Sequence, residues 1–228
     1  YSLGIDGLSV WLVLLTAVAW VPATIIAATR APERPGLYMM MMLAGETATL
    51  GAFLAQDLLL FVLFFDLMIV PFYFLFGIWG EERDGVSVNS ATMKMIVYTL
   101  IGSLLMLVGA IALAVISADT FSMAELTVKG LPSASQNWIF WFFAAAFLVK
   151  MPAFPLHGWV QDAYRAAPLP ALAVFSAVLS KVGAYGFLRV VLPILPDATQ
   201  LFQTTLLILA GVYQLTPMKW ACLARCRF

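Results

Sequence analysis

The chain has 228 residues, 63% of them hydrophobic and 11% charged, and its formal net charge is zero. That is too apolar for a soluble domain of this length, and the balanced charge gives no reason to expect a nucleic-acid partner. The two cysteines, Cys222 and Cys226, make no disulfide framework.

Apolar runs of about 20 residues recur along the chain, each long enough as a helix to cross about 30 Å of hydrocarbon. The expected fold is all-α: a polytopic transmembrane bundle of about seven helices, one of them broken. The chain opens at YSLGIDGLSV, without an initiator Met or a basic leader, so a piece of a longer protein is expected. The first pass is predicted over about Leu8 to Thr29 and stops at the turn RAPERPG. The second runs from about Leu37 to Ala55. Gln56 and Asp57 form a short link into the third, about Leu58 to Trp79. After the polar loop GEERDGVSVN, the fourth covers about Ser90 to Ser117. Residues 118–136 have the composition of a surface loop. The fifth pass, Trp138 to about Gln161, is interrupted by Pro152 and Pro155. The sixth covers about Leu169 to Leu192 and the seventh about Leu201 to Pro217.

Arg30, Arg34, Arg83, Arg165, Lys219, Arg225 and Arg227 fall on one side of this scheme, and Lys129 and Arg189 on the other. By the positive-inside rule the first side, with the C-terminus, is cytoplasmic. Trp138, Trp141 and Trp159 are expected as interfacial anchors. Gly102 with Ser103, and Gly183 with Gly186, are expected to let helices approach closely. The methionines at 39–42 read as flexible packing rather than a metal site.

Ionisable residues inside these passes carry the functional signal. Lys150 lies in WIFWFFAAAFLVKMPAFPLHGW, just before the two prolines, with His157 as its one ionisable neighbour in that segment. A cation at membrane depth costs roughly 3 kcal/mol on insertion scales, so it faces a polar or wet interior. A proline-broken helix is tolerated only where its freed carbonyls are satisfied. Asp66, Lys181, Lys94 and Glu46 are the other ionisable positions that stand out inside apolar predicted passes. Blander roles compete: Lys94 could snorkel to the membrane surface, Glu46 could bond a neighbouring helix, and His157 could bond the broken backbone. No phosphate loop, dinucleotide fingerprint or Cys cluster for an iron–sulfur centre is present, and no metal site is assigned.

Five segments carry a family resemblance: LGIDGLSVWLVLLT, GAFLAQDLLLFVLFFDLMIVPFYFLFGIWG, MKMIVYTLIGSLLMLVGAIAL, FLVKMPAFPLHGWVQDAYRAAPLP and VLSKVGAYGFLRVVLP. With them the chain resembles the antiporter-like membrane subunits of respiratory complex I, nearest to the subunit M or chain 4 type, a family shared with Mrp-type antiporters. The resemblance implies a proton path in which Asp66 pairs with Lys150 and Lys181 continues the route, with His157, Lys94 and Glu46 also at family positions. It departs at Asp66, where the family has Glu, and at Tyr164, where many members have His. Asp162 matches a family position as well. On this reading Asp66 and Lys150 should meet directly or through one water, with Lys181 facing the same interior.

The resemblance covers residues 3–210, expected to be a partial antiporter-like domain, since members have about fourteen helices in two inverted repeats. Residues 211–228 form a divergent tail similar to another, uncharacterised membrane family. Cys222 and Cys226 there are spaced to share a helix face but lack a nearby His. The implied function is a proton-translocating subunit of a membrane NADH-quinone oxidoreductase in a bacterial plasma membrane, not catalytic alone. It would carry no cofactor itself; NADH, FMN, iron–sulfur clusters and quinone would belong to partner membrane-complex subunits. The alternatives are an Mrp-type cation/proton antiporter subunit and a truncated, non-pumping scaffold.

Overall fold

The computed structural model describes residues 1–215 apart from Ala31, Asp84, Ala118, Asp119 and Phe154. Its helices are α1 (Ser9–Arg30), α2 (Pro35–Leu54), α3 (Leu58–Leu67), α4 (Ile69–Trp79), α5 (Val88–Ile116), α6 (Met123–Lys129), α7 (Ser133–Lys150), α8 (Gly158–Ala166), α9 (Leu169–Val174), α10 (Ser180–Gly186), α11 (Leu192–Ile194) and α12 (Pro196–Leu215). Two π-helical segments, Phe175–Leu179 and Phe187–Val191, join α9, α10 and α11 into one continuous rod.

Among the described residues, five stretches are long and apolar enough to cross a membrane: Ser9–Thr29, Pro35–Leu54, Leu58–Trp79, Val88–Ile116 and Leu169–Ile194. The protein is a polytopic helical membrane bundle. The expected fifth and seventh passes are not among these stretches. The fifth is divided into α7 and α8 by its prolines, and α7 spends its first turn on polar residues. The seventh begins earlier than expected, at Pro196, and its end lies outside the described residues. Residues 120–136 are also more ordered than their composition suggests. They contain α6, which buries Met123 and Leu126.

The most extensive helix contact is between α5 and α7. A Cβ on Gly102 would stand 3.1 Å from the Ala146 Cα, so hydrogen there is what lets the two backbones meet. Gly183 does the same between α10 and α7, with the Phe147 carbonyl 2.9 Å from where its Cβ would be. The expected close approaches at these glycines are therefore present. Between them sits an aromatic core in which Phe61, Phe65, Phe143 and Phe187 pack around or beside Phe147.

At one end of the bundle a set of polar contacts ties the loops together. Arg189 pairs with Asp6 at 3.3 Å and also donates to the Gln56 side chain. Gln56 donates to the Gly4 carbonyl, and its own backbone bonds Ser2 and Met123. Asp57 caps α3 by accepting from the Leu60 amide. The predicted link Gln56-Asp57 is thus a junction among the N-terminal segment, α3, α6 and the second π segment.

Candidate functional site

Lys150 is the last residue of α7 and is only 2% exposed. Its position there is favourable, because a cation complements the negative end of the helix dipole. Pro152 follows and cannot donate to the Leu148 carbonyl, so the Ala153 amide reaches back to it instead, at 2.9 Å. That leaves the Val149 carbonyl open, and the Trp159 indole N–H fills it at 3.2 Å. Trp159 is therefore 1% exposed and not an interfacial anchor, whereas Trp138 and Trp141 are exposed at 42% and 38%. The correction has a physical reason: a broken helix inside a bundle needs a donor, and the indole supplies it.

Across from Lys150, the third pass divides into α3 and α4 at Met68, three residues before Pro71. Just upstream, the Phe65 carbonyl accepts a hydrogen bond from Lys150 Nζ at 3.1 Å, and the ammonium sits 4.5 Å from the centre of the Phe65 ring. Asp66 is next in the chain. It is half-buried, and its Oδ1 is buried without a hydrogen-bond partner among the described residues. Asp66 and Lys150 do not form an ion pair within 4.0 Å, although each acts electrostatically on the other. The Ser103 hydroxyl, on α5, lies near the Asp66 carboxyl and is buried without a well-formed hydrogen bond among the described residues. A cavity with room for about one water adjoins Lys150 and is bordered by Thr99 and Met95 of α5 and by Phe175 and Leu179 of the first π segment.

The remaining expected residues fall elsewhere. Lys94 is not in the gap between Asp66 and Lys150. It forms a 2.6 Å ion pair with Asp162 of α8, at the surface, with about half of its side chain exposed. Lys181 is exposed on α10 and donates to the Ser176 carbonyl at 2.9 Å, an acceptor in the first π segment. Among the described residues it does not share the enclosed interior of Lys150. Glu46 is half-buried on α2 and makes no ion pair among the described residues. His157 is buried at the start of α8, where its carbonyl accepts from the Val160 amide. Among the described residues, no three of His, Cys, Asp and Glu gather as metal ligands would. Cys222 and Cys226 lie outside the described residues.

Sequence reasoning passed over Ser103, which it grouped with Gly102 as a packing residue. A signal was present: Thr92, Thr99 and Ser103 share one buried face of α5, a polar stripe at helical spacing in an apolar helix.

Residues 55–218 match the family described as NADH:quinone oxidoreductase/Mrp antiporter, TM. The chain belongs to this family. It is 41% identical over 213 residues to NAD(P)H-quinone oxidoreductase chain 4 2 of Thermosynechococcus vestitus, covering 93% of this chain and 39% of that protein. It is 38% identical over 225 residues to NADH-quinone oxidoreductase subunit M of Rhodobacter capsulatus, covering 93% and 43%. The chain thus spans well under half the length of these relatives. A chain in the structure of respiratory complex I from Thermus thermophilus with bound NADH superposes with a TM-score of 0.80 at 30% identity, covering 92% of this chain and 43% of that one. A chain of the Mrp complex from Dietzia sp. shares the fold, with a TM-score of 0.68 at 24% identity, covering 84% and 36%.

Proposed function

We propose that this chain is part of a proton-translocating, antiporter-like subunit of a membrane NADH-quinone oxidoreductase, and that Asp66 and Lys150 are its switchable pair. The observation that carries this reading is the position of Lys150. It is buried, held by a backbone carbonyl, and next to a carboxylate that it does not touch. A carboxylate moving toward an ammonium holds its proton; moving away, it lets the proton pass to water. The break at Met68 gives Asp66 a place to move, and the small cavity at Thr99 gives a water a place to receive the proton. In the complete subunit Lys181 would continue the route, with His157 near the broken helix. Lys94 with Asp162, and Glu46, would act at its margins. The partners are other membrane subunits of the complex, and NADH, FMN, the iron–sulfur clusters and quinone belong to partner subunits. On this reading the C-terminus lies on the cytoplasmic side of a bacterial plasma membrane, which the arginine distribution supports, and residues 211–228 are a divergent tail beside the antiporter-like residues 1–210, with the family match running on to residue 218.

Lys150→Met in the assembled complex tests this. Assembly should persist while proton pumping per NADH oxidised collapses; unchanged pumping would refute the assignment. The exposure of Lys181 favours a second reading, a non-pumping scaffold, in which the same substitution changes only stability. An Mrp-type subunit, the other class that the family description names, would exchange sodium for protons in vesicles without NADH.

A further inference from the structure

Buried hydroxyls inside the long helices of this bundle share one habit. Thr16, Thr49, Thr92 and Thr99 each donate to the carbonyl four residues earlier, at 2.7, 2.7, 2.7 and 2.6 Å. That bond satisfies a hydroxyl within its own helix, which an apolar setting ordinarily demands. Ser103 departs from the habit. It is 3% exposed on α5, yet its hydroxyl makes no well-formed hydrogen bond among the described residues, to the Thr99 carbonyl or to any other acceptor.

Asp66 on α3 is the matching orphan, because its Oδ1 is buried and lacks a donor among the described residues. Two polar side chains act on this carboxyl, the Ser103 hydroxyl and the Lys150 ammonium. Helices α3 and α5 pack directly against each other. A donor short of an acceptor and an acceptor short of a donor therefore stand across one helix contact.

Thr99 completes the arrangement. It lies one helical turn, about 5.4 Å, from Ser103 along α5 and borders the small cavity at Lys150. Its proton is spent on the Met95 carbonyl, so toward that cavity it can only accept. Helix α5 thus offers an acceptor beside the ammonium and, one turn on, a free donor beside the carboxylate. A carboxylate leaving the ammonium would otherwise stand bare in an apolar interior, which is costly. Packing alone does not account for Ser103, since alanine would fill nearly the same space and leave no orphan.

We propose that Ser103 is a positioning residue whose hydroxyl donates to the Asp66 carboxylate when that group withdraws from Lys150, an assignment that rests on reading Asp66 and Lys150 as the switchable pair. The carboxylate then has two seats, one toward the ammonium and one at Ser103, and rotation of a single side chain exchanges them.

Ser103→Ala in the assembled complex tests the proposal. The serine makes no well-formed bond to lose, so the subunit should assemble in normal amount. The rate of proton pumping should fall about tenfold, the loss expected for one hydrogen bond to a charged group. Infrared difference spectra of the same complexes read the carboxyl itself. The band that disappears in Asp66→Asn should move to higher frequency in Ser103→Ala, because a C=O that loses a donor stiffens. A serine that only fills space would leave that band in place, and an unmoved band would overturn the proposal whatever the pumping rate. Full pumping in Ser103→Ala alongside lost pumping in Lys150→Met would overturn the seat and leave the pair standing. Full pumping in Lys150→Met would remove the pair, and the seat with it.

Discussion

Lys150 Nζ bonds the backbone carbonyl of Phe65 at 3.1 Å and not the carboxylate of Asp66, the next residue in the chain. The cation is thereby anchored by a neutral dipole that cannot titrate, and the carboxylate stays free to approach or withdraw. A direct ion pair would place both charges in one fixed geometry. The present arrangement leaves a gap that a side-chain rotation or a water can close.

One added methylene should close it. Asp66→Glu lengthens the carboxylate toward Lys150 and should form the direct ion pair that Asp66 does not make. A double-mutant cycle with Lys150→Met measures the change: coupling between residues 66 and 150 should rise by about 1 kcal/mol when residue 66 is Glu. Equal coupling for Asp and Glu would show that the backbone, and not side-chain length, sets the gap.

The polar junction at the Gln56 end gives a pH signature outside the membrane. Partial burial raises the pKa of the Asp6 carboxyl, but the Ser9 and Leu8 amides and the Arg189 charge outweigh it and hold the group below its ordinary 3.8. A carboxylate depressed in the folded state contributes its stabilisation fully above the unfolded value and loses it as pH falls through the folded one. Thermal stability should therefore drop as pH falls below about 4 in the native chain. Asp6→Asn should flatten that drop and lower stability at pH 7 by up to about 1 kcal/mol, the range for a partly exposed pair. Melting curves at pH 3 to 7 for both proteins decide it.

The α5–α7 contact predicts a steric threshold. Gly102→Ala would place a methyl group 3.1 Å from the Ala146 Cα, a backbone atom that cannot rotate away. The cost should be about 1–3 kcal/mol, and Gly102→Val should cost more. Gly77, around which a new Cβ meets nothing within 4 Å, is the control, and Gly77→Ala should be neutral or slightly stabilising. Denaturation in detergent with a tertiary-fluorescence readout compares the three.

Much of this architecture was legible in the residues. Apolar runs located five of the seven expected passes, because hydrocarbon thickness sets a minimum length that few other folds need. Pro152 and Pro155 announced the break, and the cost of a buried cation announced that Lys150 would face inward. Other parts were not legible. Lys94 and Asp162 are far apart in sequence, and nothing local says that α8 folds back to bring them together. Lys181 has the same apolar flanks as Lys150, yet it is exposed on α10; hydropathy reports how deep a residue lies and not which neighbour covers it. Ser103 looked like a packing residue because its role depends on what α3 presents to it.

Trp159 offers the sharpest test of how the broken helix is held. Its indole N–H is the donor to the Val149 carbonyl, one residue from Lys150, at a point where Pro152 has shifted the ordinary helical bonds. Trp159→Phe keeps an aromatic ring against Phe175, whose centroid is 6.0 Å away, but removes that donor. A buried carbonyl left without a partner costs about 1–3 kcal/mol. The loss should also be local, so amides 150–158 should exchange with deuterium faster while α5 stays protected. Trp138→Phe, at an exposed position, should change neither stability nor exchange. If Trp159→Phe proved neutral and left exchange at 150–158 untouched, the carbonyl would have to be satisfied by water. The broken helix beside Lys150 would then be wet even before any proton moves.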